Sequence, residues 1–284
     1  MDLTTQVTAA INAWLESLVK QLLSPAIDAA GNLLLQAPRL DAVPVVVRNW
    51  EIARGISDAL LVLGVLGAGI LIIVSAGAEA RYSAKILIPR VVLAGVLANA
   101  SLAICGGLIT LSNALVSGLL GPSPAASVAA RFSSIVLGAS GPNQIIAIVV
   151  GLASAVLAIL LVALFLGRDL LLMLAMILAP LALLMYALPQ TEELARLWWR
   201  VFCALLFVQV VQAALVNVGM DVLASADWFG EPASGIVSGL LVISLLYLLL
   251  RLPFAAYGWA FRQSLMQNRV VHSVVLGARS LAAL

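Results

Sequence analysis

Apolar residues run along this chain in long blocks rather than in alternation, and six blocks approach the length of a membrane-crossing helix. Such a helix needs about 20 apolar residues to cross roughly 30 Å of hydrocarbon while satisfying its own backbone. The blocks run from about Ser57 to Ala78, Val91 to Gly118, Gln144 to Gly167, Leu170 to Leu188, Val201 to Ala224 and Ile236 to Leu250. The third and fourth are separated only by Arg168-Asp169, and Pro180 interrupts the fourth. The sixth continues past Arg251 and Pro253 toward Phe261. The pattern predicts an all-α, polytopic transmembrane helix bundle of about five to six membrane segments.

Between the blocks the composition turns to loop formers. Gly121-Pro122-Ser123-Pro124 and Gly138 to Asn143 bracket a loop carrying Arg131, and Asp227 to Pro232 form a short acidic loop. Residues 1–56 follow a different pattern. Trp14, Leu15, Leu18, Val19, Leu22 and Leu23 recur at helical spacing with Glu16, Lys20 and Gln21 between them, so amphipathic N-terminal helices are expected there. Pro25, Pro38 and Pro44 interrupt that segment, and a short hairpin dipping into the bilayer near Ile27 to Leu35 is the alternative. Three parts result: extramembrane or interfacial helices over 1–56, a transmembrane bundle over 57–261 and a tail over 262–284. No internal repeat stands out.

Composition agrees with the pattern. Of 284 residues 63% are hydrophobic and 10% charged, against roughly 45–50% and about 25% in soluble domains. A soluble globule with this composition would expose large apolar patches. The net charge of +2 argues no nucleic-acid partner from overall basicity. Cys105 and Cys203 sit inside apolar blocks and read as small hydrophobes rather than a disulfide framework. The N-terminus lacks a positive region before a short apolar core, so no cleavable signal peptide is expected.

Orientation raises a conflict. Arg81, Lys85 and Arg90 cluster with Tyr82 between the first two blocks, and the tail carries Arg262, Arg269 and Arg279. Lys and Arg favour the cytoplasmic side, which places that turn and the tail inside and the acidic loop outside. Six full crossings cannot satisfy all three, because an even number separates the turn from the acidic loop. Five crossings plus one re-entrant or tilted segment within 144–188 would satisfy them, with Pro180 removing a backbone donor there.

Polar residues inside the blocks include Asn99, Ser101, Asn113, Gln209, Gln212 and Asn217. Gln209 and Gln212 share a helix face with Asn217 near it, which suits helix-to-helix hydrogen bonds, a subunit contact or a wet lumen. Gly235-x-x-x-Gly239 and Gly151-x-x-x-Ala155 allow close helix approach. Asp58, Asp169 and Asp221 fall near predicted ends, leaving Arg251 as the main candidate for a deeper charge, although an arginine one turn from an interface more often snorkels to lipid headgroups. His272, in the tail, is the only histidine, so neither a histidine zinc site nor a histidine triad is available. With no P-loop or dinucleotide glycine motif either, the chain reads as no enzyme and calls for no metal and no cofactor.

Two amphipathic segments flank the bundle's polar ends. On a helical wheel Arg262, Arg269, His272 and Arg279 fall within about 100° of one another, opposite Val270, Val271, Val274, Ala278 and Leu281. That basic amphipathic C-terminal helix suits an anionic leaflet or an acidic partner. Before the fifth block, Thr191 can cap a helix opened by Glu192 and Glu193, and Trp198, Trp199 and Arg200 mark a bilayer interface.

With these residues in view, Gly77 to Leu115 (GAEARYSAKILIPR…LSNAL) and Leu178 to Leu215 (LAPLALLMYALPQTEELARLWWR…QAAL) resemble the TrbL-type polytopic subunit of conjugative type IV secretion systems. The resemblance covers residues 50 to 260 and rests mainly on the proline-bearing fourth block and the P-x-T-E…W-W-R connection. It implies a multi-pass inner-membrane channel or assembly platform of about five spans that translocates DNA or protein. The implied partners are the lipid bilayer, further copies in a homo-oligomer, cytoplasmic ATPases that supply energy, pilin-like subunits and a transient DNA or protein substrate. The chain has only the loop around Arg131 where the family can carry a large central extracytoplasmic domain, so contacts of such a domain are not carried over. A small-solute transporter or permease subunit is the alternative, and a holin-like permeabilising protein a third reading.

Overall fold

The computed structural model describes residues 39–74, 84–121, 144–188, 191–224 and 235–266, with isolated helical positions before residue 39. Among the described residues every regular element is helical. A short 3-10 turn, Leu40–Ala42, leads into α1 (Pro44–Val74). Helices α2 (Ala84–Leu120), α3 (Gln144–Ile177) and α4 (Ala179–Leu184) follow, then a 3-10 turn at Met185–Ala187, α5 (Glu192–Ala224) and α6 (Gly235–Met266).

Local chemistry sets the ends. Pro44 opens α1, where its fixed φ suits the first helical position and its missing N–H costs nothing. Val43 before it is extended, as a residue preceding proline must be, and its carbonyl accepts from Val46 and Val47. The proline that broke the sequence pattern therefore starts a helix, and α1 runs without a break through residues 56 and 57. Gly121, at φ +86, ends α2, with its N–H bonded to the Ser117 carbonyl. Glu192 and Glu193 fill the first turn of α5, where the helix dipole favours negative charge.

The third and fourth blocks are not two helices. Helix α3 passes unbroken through Arg168-Asp169 and stops at Ile177. A break at Leu178 then leads into the six residues of α4, with Pro180 near its start. The interruption is therefore at 178, and Arg168-Asp169 is no connection.

Three described helices are long and apolar enough to cross a membrane, over Leu87–Leu120, Ile148–Ile177 and Glu192–Leu223, and Gly239–Ala255 is a shorter apolar stretch. Many of their large apolar side chains face outward, among them Val92, Val96, Leu152, Leu170 and Phe207. In water such a surface would aggregate; in lipid it is the expected exterior. The fold is an all-α membrane helix bundle.

Contacts divide the chain into two units, each described by itself. The first takes in 1–38, 111–169 and 207–254; the second takes in 39–110, 170–206 and 255–284. The first is built on Val116, Ala155, Ala158, Phe165, Ala213, Val216, Val242 and Leu245. Its helices approach closely at glycines: a Cβ on Gly239 would meet Val150 at 2.7 Å, and one on Gly219 would meet Leu245 at 2.6 Å. Gly239, the end of the small-residue motif, thus lets α6 close on α3. In the second unit Leu87, Val91 and Ala94 pack with Ala187, and α1 packs on α4.

Candidate functional site

In the first unit the polar positions of the apolar helices meet one another. Gln209 and Gln212 of α5 are both fully buried. The Gln209 amide donates to Asn113 Oδ1 of α2 at 3.0 Å. The Gln212 amide donates to the Leu249 carbonyl of α6 at 3.1 Å. Leu249 lies four residues before Pro253, which has no N–H to give it. Gln212 thus supplies from a neighbouring helix the donor that the proline removes, a repair that apolar surroundings require. The amide oxygen of each glutamine, and the buried Ser154 hydroxyl, find no hydrogen-bond partner among the described residues.

Arg168 and Asp169 are also buried in this unit, and Arg168 is among its largest fully enclosed side chains. Its Nη2 and Nε donate to Asp169 Oδ1 at 2.8 and 3.1 Å, and the guanidinium lies 5.7 Å from the centre of the Phe165 ring. Burying two charges is costly unless they are paired closely, which adjacent positions on one helix achieve here.

The second unit places its charges differently. Arg90 of α2 pairs with Glu192 at the start of α5, and Arg196 pairs with the same carboxylate. Two helix beginnings are thereby tied at one level. Trp198 stacks on Phe202 with centroids 5.4 Å apart and donates its ring N–H to the Ala175 carbonyl of α3 at 3.0 Å. Trp199 lies exposed beside them. Arginine and tryptophan are residue types favoured at a bilayer interface. The Thr191 hydroxyl, expected to cap α5, instead donates back to the carbonyls of Met185 (2.7 Å) and Leu188 (3.2 Å). It closes the turn after α4.

Along α1 and α2, Trp50 donates to the Ser101 hydroxyl at 2.9 Å and Asn99 donates to Asp58 at 3.0 Å. Asp58 also faces Arg54 at 3.7 Å, and the Ser57 hydroxyl donates to the Pro180 carbonyl at 3.1 Å. Glycine again sets the spacing: a Cβ on Gly95 would meet Leu61 at 2.9 Å, and one on Gly106 would meet Asp41 at 3.2 Å.

The structure thus sorts the residues read from the sequence. It joins Asn113 to Gln209 and sends Gln212 to a backbone carbonyl, both within the chain. Asn99 is exposed on α2, and Asn217 is half-buried on α5. Arg90 pairs with Glu192, Trp198 bonds the Ala175 carbonyl beside Trp199, and Arg200 lies half-buried on the same turn of α5. Lys85 begins α2 and Arg262 lies near the end of α6, whereas Arg81, Tyr82, Arg131, the acidic loop, Arg269, His272 and Arg279 lie outside the described residues. Two expectations are corrected. Asp58 and Asp169 lie inside helices rather than near their ends, and the deeply enclosed charge is Arg168. Arg251 is exposed, its Nη1 donating to the Tyr247 hydroxyl at 2.8 Å. Two opposite charges side by side in an apolar block were the signal for the pair. Cys105 is buried and Cys203 half-buried, both reduced, as their apolar surroundings suggested. Among the described residues no group of side chains could hold a metal.

Long apolar helices joined internally by buried amides, proline repair and a paired charge define a helical membrane protein. The class becomes specific on comparison with known families. The family described as TrbL/VirB6 plasmid conjugal transfer like protein matches residues 1–282, and the chain belongs to it. It is accordingly a component of conjugal transfer by type IV secretion. The match extends beyond the 50–260 stretch that carried the resemblance in the sequence. No curated protein is similar enough to the chain to count as a match.

Proposed function

We propose that the chain is a homo-oligomeric inner-membrane channel or assembly platform of a conjugative type IV secretion system, crossing the bilayer five times on α1, α2, α3, α5 and α6. It performs no covalent chemistry in this reading. Cytoplasmic ATPases supply the energy for passage of DNA or protein, and pilin-like subunits assemble on it.

The ion pair between Arg90 and Glu192 is the observation that carries the topology. With five crossings, the turn before α2 and the connection before α5 both lie on the cytoplasmic side, where the pair can form. Six crossings would put Glu192 across the membrane from Arg90. The unbroken course of α3 through Arg168-Asp169 supports the same count, since 170–188 then adds no crossing. Five crossings also reconcile a basic turn and basic tail inside with an acidic loop outside.

Deleting the gene from a donor cell and restoring it on a plasmid tests the role. Loss of DNA or effector transfer, restored by the plasmid, is expected, with secretion ATPases and pilin-like subunits copurifying after mild detergent extraction. Undiminished transfer with a fully assembled apparatus in the deletion strain would remove the proposal.

A further inference from the structure

The second unit gives the depth of its own residues. Arg90, Glu192, Arg196, Trp198 and Trp199 mark an interface, and α2 runs from Arg90 through Leu120 without another charge. Helix α1 runs past it in the opposite direction. Leu61 lies against Gly95, Asp58 bonds Asn99, Trp50 bonds Ser101 and Asp41 lies against Gly106. At 1.5 Å per residue the levels of Gly95 and Gly106 are about 8 and about 24 Å beyond Arg90, inside a hydrocarbon layer about 30 Å thick. Arg48, Glu51, Arg54 and Asp58 fall between them.

These four residues are not hidden. Arg48, Glu51 and Arg54 are exposed, and the side chains of Arg54 and Asp58 are 45% and 46% exposed. On the wheel of α1 they occupy a sector of about 120°, separate from the exposed apolar sector of Val45, Ile52 and Ile56 and from the buried strip of Val46, Trp50, Ala53 and Ser57. Through Asp58 and Asn99 the charged sector continues onto α2, where Ala103, Gly107 and Thr110 lie exposed at successive turns.

Sliding the bilayer does not remove the charges. To leave α1 uncharged the layer would have to begin at Ala59, and the matching part of α2 would then bring in Lys85 and Arg90 with its partner Glu192. Lipid cannot cover the sector, because exposed charges at mid-depth are costly there. A tight protein contact would strip water from four ionisable groups at once, also at a cost.

We propose that the charged sector of α1, with Asn99, Ala103, Gly107 and Thr110 of α2, lines an aqueous path through the bilayer, and that the apolar sector of α1 faces lipid. The lining sums to zero charge, so it holds neither a polyanion nor a polycation by net attraction. The inference deepens the channel reading and rests on it for the membrane placement.

The test uses the full chain with Cys105→Ala and Cys203→Ala, expressed with the rest of the transfer apparatus in cells. Single cysteines replace Glu51, Asp58 and Asn99 in the sector, and Ile52, Ile56 and Val96 at similar depth outside it. A membrane-impermeant cationic methanethiosulfonate is the probe. The sector positions are expected to react roughly tenfold faster or more, because the thiolate forms where water reaches it. Ala103→Cys and Gly107→Cys, smaller changes on the same stripe, should follow them if a charge-replacing variant misfolds. Equal, slow reaction at all positions overturns the proposal. So does disulfide-linked dimer at Glu51→Cys or Asp58→Cys, which would put a second copy on the face, or reaction that appears only after residues 1–38 are deleted. If such cells still conjugate, the wet lining is lost while the transfer role stands.

Discussion

The two units handle polarity in opposite ways. In the first, Gln209, Gln212, Arg168 and Asp169 are enclosed, and each has a partner within the chain. In the second, Arg48, Glu51, Arg54 and Asp58 stand on the surface, and the Arg54–Asp58 pair is open and loose at 3.7 Å. The enclosed glutamine N–H groups and the Arg168–Asp169 pair are matched within the chain. On the proposed placement, the charges exposed on α1 are matched by water. The first unit therefore reads as internal scaffolding, and the charged sector of α1 in the second is the lining proposed above.

That contrast can be broken by stability measurements in detergent micelles. Arg168→Leu leaves Asp169 buried without its guanidinium and should cost about 3–5 kcal/mol of unfolding free energy, while the double change Arg168→Leu with Asp169→Leu recovers most of it. A double variant as unstable as the single one would mean the pair is not what matters. Gln212→Leu should cost about 1–3 kcal/mol by orphaning the Leu249 carbonyl. The loss should shrink when Pro253→Ala restores a backbone donor to that carbonyl, and a double-mutant cycle measures the coupling. Equal losses in both backgrounds would reject the repair.

Smaller effects sharpen the comparison. A cycle between Asn113→Ala and Gln209→Ala should give about 0.6–2 kcal/mol, the range of hydrogen bonds between membrane helices. The matching cycle in the second unit, Arg54→Gln with Asp58→Asn, should fall at or below about 0.5 kcal/mol, because both side chains are nearly half exposed. If the exposed pair coupled more strongly than the enclosed amides, the assignment of the two units would be reversed.

Much of this was legible in the sequence, because apolar blocks and their lengths are local properties. The blocks that become α2, α5 and α6, and the shared face of Gln209 and Gln212, could be read directly. The start of α1 could not, because Pro44 has the same letter whether it interrupts a helix or occupies its first position. Arg168-Asp169 was read as a boundary because a charged pair in an apolar block looks like an interface. Only packing against Phe165 and its neighbours shows that protein encloses it. The pairing of α1 with α2 could not be read, because a sequence carries no register between helices. The bonds from Asp58 to Asn99 and from Trp50 to Ser101 supply that register.

The five-crossing arrangement is tested most directly by two single cysteines in a background lacking Cys105 and Cys203, at Glu193 and at Asp227. A membrane-impermeant thiol reagent applied to the outer face of the inner membrane should label Asp227→Cys at once and reach Glu193→Cys only after the membrane is opened. Immediate labelling of Glu193→Cys from that face would contradict the cytoplasmic placement of the Arg90–Glu192 pair, and with it the five-crossing account.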